Sequence, residues 1–136
     1  MRLGDYFLDE YRFALKKVAY AKISAEPSKD SALKITDRVE IAKRKPEEVS
    51  ALFSRRVFFE PEAMFDVCVT YDIVLKVMGG KDISSVSDDD FAHAVLESEV
   101  LSAPGSCASL LISEITMMGT GSPIVIPPRP VKKSDA

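Results

Sequence analysis

The chain has no tryptophan, no asparagine and no glutamine, and it has two cysteines and one histidine in 136 residues. The missing amides take away favoured devices for turns and for reading base edges. Two cysteines, Cys68 and Cys107, are too few for a disulfide-stapled scaffold. Both stand in apolar stretches and read as reduced, small buried hydrophobes. Together with His93 they give three scattered Cys/His side chains, whereas a structural zinc site needs four ligands. No uninterrupted apolar run approaches the roughly 18 residues of a membrane span. The opening Met1-Arg2-Leu3-Gly4-Asp5 leads into no apolar signal core. The expectation is a cytoplasmic chain with no membrane insertion, no metal and no cofactor.

What is present is ordinary for a globular domain, with 46% hydrophobic and 29% charged residues. A chain this long buries about two-thirds of its unfolded surface, enough for a core without staples. Net charge is −3, unevenly spread. Residues 1–60 carry 13 basic and 10 acidic side chains, residues 61–100 carry 2 and 9, and residues 101–136 carry 3 and 2. The basic clusters are Lys43-Arg44-Lys45 and Arg55-Arg56. With a pI near 5.2 and no domain-wide basic stripe, the chain is not expected to bind nucleic acid.

The hydrophobic pattern supplies the elements. From Asp5 to about Ser24, Tyr6 and Leu8 and then Tyr11, Phe13 and Leu15 alternate, with a slip at Asp9-Glu10. That reads as a strand with a bulge, with a helix as the alternative. Leu33, Ile35, Asp37, Val39 and Ile41 form a second alternation with one charge on its inner face. Pro46 to Phe53 suggests one or two helical turns with proline first, and Arg55 to Pro61 a short extended piece. The strongest signal is Phe65–Val77, where seven apolar residues at odd positions define one face of a long strand. Ser87 followed by three aspartates starts a helix running from about Asp88 to Glu99.

A last helix is expected from about Gly105 to Met118, ended by Gly119 and Gly121. Cys107, Ala108, Leu110, Leu111, Ile112, Ile115, Met117 and Met118 make it apolar on most sides, so one sheet cannot cover it. A second chain is expected to cover the rest, with Leu111, Ile115 and Met118 at a homo-dimer or homo-tetramer interface. Beyond it, Ile124, Val125 and Ile126 lie among prolines, an extended segment rather than a central strand.

Catalytic constellations are weak. A Ser-His-Asp or Cys-His arrangement would have to use His93, which reads as a solvent-facing residue of a surface helix. Asp66 and Asp72 share a strand face about 20 Å apart, too far for paired acid–base work. The Asp88–Asp90 run reads as a solvated helix start, and Gly119-x-Gly121 has no following helix to make a phosphate loop. The chain is expected not to be an enzyme.

Two stretches carry a resemblance. Cys107-Ala-Ser-Leu-Leu-Ile-Ser-Glu-Ile-Thr116, then Gly119 and Ser122-Pro-Ile-Val-Ile-Pro-Pro128, resemble the end of the SecB-like export chaperones. There an Ile-Ser-x-Ile-Thr helix precedes a glycine and a proline-flanked apolar crossover. The block Arg56-Val-Phe-Phe-Glu-Pro-Glu-Ala-Met-Phe65 is similar to that of the shorter, Gram-positive-type members, and Leu3-x-Asp5-Tyr6 with Phe13 is compatible with their first strand. Together these stretches cover roughly half of the chain.

The resemblance implies an α+β fold, a four-stranded antiparallel sheet packed against a long C-terminal helix. It implies one domain over residues 1–128, assembled as dimers of dimers, while residues 129–136 read from their polar composition as a flexible tail. Family members hold unfolded preproteins for export without ATP, in apolar grooves. By that likeness Ile124, Val125, Ile126, Pro127 and Pro128 wall the groove and Phe58 and Phe59 line it. The resemblance also marks departures, since no second helix and no C-terminal metal-binding tail follow the crossover. Met117, Met118 and Ile124–Ile126 suit promiscuous contact, and their alternative reading is plain core and dimer interface. The function expected is an ATP-independent holdase for unfolded or preprotein chains. The alternative is a dedicated interaction adaptor, or a toxin–antitoxin-linked chaperone, with the same fold and a narrow client range.

Overall fold

The structure is a computed structural model, which describes residues 1–122 and 124. Four long strands form one antiparallel sheet: β1 (Phe7–Lys22), β2 (Ala32–Arg44), β3 (Glu48–Glu60) and β4 (Phe65–Val77), in the order β1-β4-β3-β2. Two helices follow, α1 (Asp88–Leu96) and α2 (Ser102–Thr120). The fold is α+β, with the sheet packed against a long C-terminal helix as expected.

One face of the sheet is the core. Period-2 alternation buries Val49, Ala51, Phe53, Arg55 and Val57 of β3 against Val67, Val69, Tyr71, Ile73 and Leu75 of β4. Phe91 and Val95 of α1, and Ala108 and Ile112 of α2, close the core from the same side. We call this face inner, and the face bearing Asp66, Cys68, Thr70 and Asp72 outer.

The short helix expected over Pro46–Phe53 is instead the start of β3. Pro46 sits in the β2–β3 hairpin, and Val49, Ala51 and Phe53 are fully buried at strand spacing. Tertiary burial outweighs the local helix-start signal. The inner-facing Arg55 is what broke the apolar alternation in the sequence.

Strand β1 has two irregularities. One falls between Phe7 and Tyr11, at the Asp9-Glu10 slip seen in the sequence. The other, between Leu15 and Lys17, had no signal in the apolar pattern. The second moves the inward positions from odd to even. Tyr11, Phe13 and Leu15 pair with inner residues of β4, and after the bulge Val18 and Tyr20 do so.

Helix α1 carries its expected N-terminal cap, whereas α2 begins at Ser102, ahead of the expected Gly105, without a side-chain cap. The Ser87 side chain accepts from the Asp90 amide at 3.1 Å, with acids through the first turn of α1. Ser87→Ala is expected to cost about 1 kcal/mol, read as a lowered midpoint in urea with unchanged slope. Arg44 ties α1 to the sheet through Ile83 O, Val86 O and the Asp88 carboxylate, with its guanidinium 4.8 Å from the Phe91 ring centroid. Helix α2 ends at Gly121, whose φ of 82° suits the left-handed cap and whose amide donates to Met117 O.

Candidate client-binding surface

Helix α2 is amphipathic only in part. Pro104, Gly105, Ala108, Ser109, Ile112 and Thr116 face the sheet and are buried. On the opposite side Leu110, Met117 and Met118 are 67%, 50% and 80% exposed. Leu111 and Ile115 lie between, half-buried and packed on the core margin. Of the three expected interface residues, Met118 is thus open and the other two partly covered. The helical run Glu99–Thr120 has a mean hydropathy of 1.3 over its best window, apolar enough by composition to cross a membrane. Serines, a glutamate and threonines interrupt it, so the sequence shows no continuous apolar stretch of that length.

Below α2 lies a buried ion pair. Arg55 Nε and Nη2 donate to the two Asp37 oxygens at 2.8 and 3.0 Å, and both side chains are fully buried. Nη1 donates to Ser109 Oγ at 2.5 Å and to Gly105 O at 3.3 Å. Asp37 is the odd inner charge of the second alternation, and its partner is the residue directly opposite on β3. The fork fixes where α2 sits on the sheet.

Beyond this pin the inner face is less covered. Phe59 on β3 is half-buried and packs edge-on to Phe65, with centroids 5.6 Å apart. Opposite it on β2 stands Leu33, 39% exposed, followed by half-buried Ile35. Past the end of α2 the chain is tied back to the helix at Thr116. Its hydroxyl accepts from the Ile124 amide at 3.0 Å and donates to Ile112 O at 2.9 Å. Ile124 is thereby brought half-buried against the core.

Phe59 and Ile124 therefore both border the inner face. Phe58 does not join them, because adjacent strand residues point to opposite faces. It lies on the outer face with the Arg56 guanidinium 3.9 Å from its ring centroid. Arg56 is itself held by both Asp66 oxygens, at 3.0 and 2.7 Å, and that hydrogen bond keeps its pKa above the ordinary arginine value. Val125, Ile126 and Pro127, with Pro128, lie outside the described residues. Leu33 and Ile35 were legible as an apolar alternation, but their place beside Phe59 depends on strand pairing that one sequence does not display.

The groups considered for catalysis do not converge. The His93 side chain is 71% exposed and 3.4 Å from Glu97. It stands on α1, on the opposite side of the sheet from Cys68. Asp66 is occupied by Arg56, while Asp72 Oδ1 is buried with no hydrogen-bond partner among the described residues. Cys107 is exposed on α2, not buried as its apolar neighbours suggested. Among the described residues no three His, Cys, Asp or Glu side chains gather as a metal site.

Neither a protein-family model nor a curated protein sequence matches the chain. Among solved structures the chain is similar to the Mycobacterium tuberculosis SecB-like chaperone Rv1957, solved in complex with a ChAD peptide from the Rv1956 HigA1 antitoxin. The TM-score is 0.64 at 13% identity, over 93% of this chain and 92% of that one. A protein of unknown function from Streptococcus agalactiae aligns over 87% of this chain and 97% of its own, at 15% identity and a TM-score of 0.44. The first likeness shows the fold to be SecB-like.

Proposed function

We propose that the chain is a non-enzymatic, ATP-independent chaperone that holds unfolded or preprotein segments in an apolar groove. The observation that carries the proposal is the incompletely covered inner margin, where Phe59, Leu33, Ile35 and Ile124 border one face of a SecB-like fold. Such a margin gives hydrophobic contact without base, nucleophile or nucleotide loop, and contact of that kind tolerates many sequences. Val125, Ile126 and Pro127 are proposed to extend its wall. Phe58 is left out of it, since it faces the other way.

The neighbour's bound peptide comes from an antitoxin, which favours a second reading: a dedicated chaperone with a narrow client range. Suppression of aggregation separates the two. A general holdase at a few-fold molar excess keeps several unrelated unfolded proteins soluble without ATP. A dedicated one leaves them to aggregate and protects its own client alone. A chain that protects nothing and binds no unfolded peptide contradicts both. The exposed apolar line of α2 supports assembly as a homo-dimer or homo-tetramer.

A further inference from the structure

Among the described residues β2 has a strand neighbour on one side only. The two edges of the sheet differ. On β1 the register shifts twice, and such bulges turn an edge away from a further strand. The β2–β3 pairing runs without a shift from Ala32 to Ile41. A regular edge of that length presents an even row of backbone N–H and C=O groups to any extended chain laid beside it. It also borders the apolar margin, since Leu33 and Ile35 belong to it.

The two faces of this edge call for different neighbours. On the inner face Leu33 is exposed and Ile35 half-buried, so a further strand gains contact there through apolar side chains. On the outer face Lys34, Thr36 and Arg38 follow one another at strand spacing. Arg38 pairs with Glu40, two residues along its own strand, and the two side chains are 77% and 53% exposed. A pair so open to water is weak and gives way readily to a carboxylate on an adjoining strand. Thr36 and Arg38 border a hollow of about 360 Å³ that reaches Arg56 and Cys68, with room for an acidic side chain lying across β2.

We propose that an extended client segment of alternating apolar and acidic residues joins the sheet as a fifth strand along Ala32–Arg38 of β2. Its apolar side chains lie toward Leu33 and Ile35, and its carboxylates toward Lys34 and Arg38. Beyond Arg38 the edge is less open, because α1 packs against β2 there and Arg44 ties the two together. Main-chain hydrogen bonds to β2 hold a segment of any sequence, and the alternation of side chains selects among segments. The inference rests on the proposed holding of clients and deepens it, by naming the client chemistry and the backbone that receives it.

The test is amide hydrogen exchange, followed by NMR, with a short synthetic peptide of alternating valine and glutamate as the probe. On binding, alternate amides between Ala32 and Arg38 are expected to slow by about tenfold or more, while those of β1 stay as they were. A peptide of alternating valine and lysine should bind roughly three- to tenfold more weakly, and Lys34→Glu with Arg38→Glu should reverse that order. Holding of an unfolded client is assayed alongside. A chain that holds the client but takes no glutamate peptide, or takes it with the β2 amides unaltered, overturns the strand addition and leaves the chaperone reading standing. A chain that binds neither overturns both. Equal affinity for the two peptides would overturn the acidic preference. Amides of β2 that are slow before any peptide is added would mean that a second copy of the chain occupies the edge, and would overturn the proposal as well.

Discussion

Replacing Arg55 by alanine is expected to lower the unfolding free energy by about 3–5 kcal/mol, the largest single-residue loss in the sheet–helix interface. The reason is what is left behind. Asp37 would keep a fully buried carboxylate without its bidentate partner, and the Ser109 hydroxyl and Gly105 carbonyl would lose a donor. The double replacement Arg55→Met with Asp37→Leu removes both charges and fills similar volume, so it is expected to stay within about 1–2 kcal/mol of the wild type or exceed it. Urea unfolding reads both, through midpoints compared at constant slope. A loss under about 1 kcal/mol for Arg55→Ala would mean that water reaches the pair and that it does not pin α2.

The second large effect is expected on client binding. Phe59→Ala and Ile124→Asp each take away apolar surface from the inner margin. Contact worth about 1.5–3 kcal/mol for a fully buried side chain corresponds to roughly 10- to 100-fold in Kd for each. The double variant should lose detectable binding to an unfolded client while remaining folded, since both side chains are half-buried. Phe58→Ala is the matched control. It removes the same ring one residue away, but from the outer face under Arg56, and should leave Kd within about two-fold. Equal losses at Phe58 and Phe59 would place the client elsewhere.

Period 2 made the long strand over Phe65–Val77 legible to the residue, because every inner position is apolar. Ser87 with its aspartates marked the start of α1, and Gly121 marked the end of α2, although Gly119 lies within the helix. The extent of β3 was hidden. Its inner face carries Arg55, and a buried arginine looks in sequence like a surface one until Asp37 is set opposite it. The second bulge of β1 was hidden too, since Lys16-Lys17 reads as ordinary solvated charge. For the groove, the resemblance pointed to Phe58 and Phe59 together, whereas backbone geometry divides them between two faces. Leu33 joins Phe59 only through the β2–β3 register, a long-range property that local pattern does not carry.

Light scattering on a sizing column, run with and without an unfolded, reduced client, tests the central claim most directly. The expected result is an oligomer of the 15.0 kDa chain that co-elutes with the client in the absence of ATP and keeps it from aggregating. A chain that elutes apart from every unfolded client, while the client aggregates as fast as it does alone, would contradict the claim.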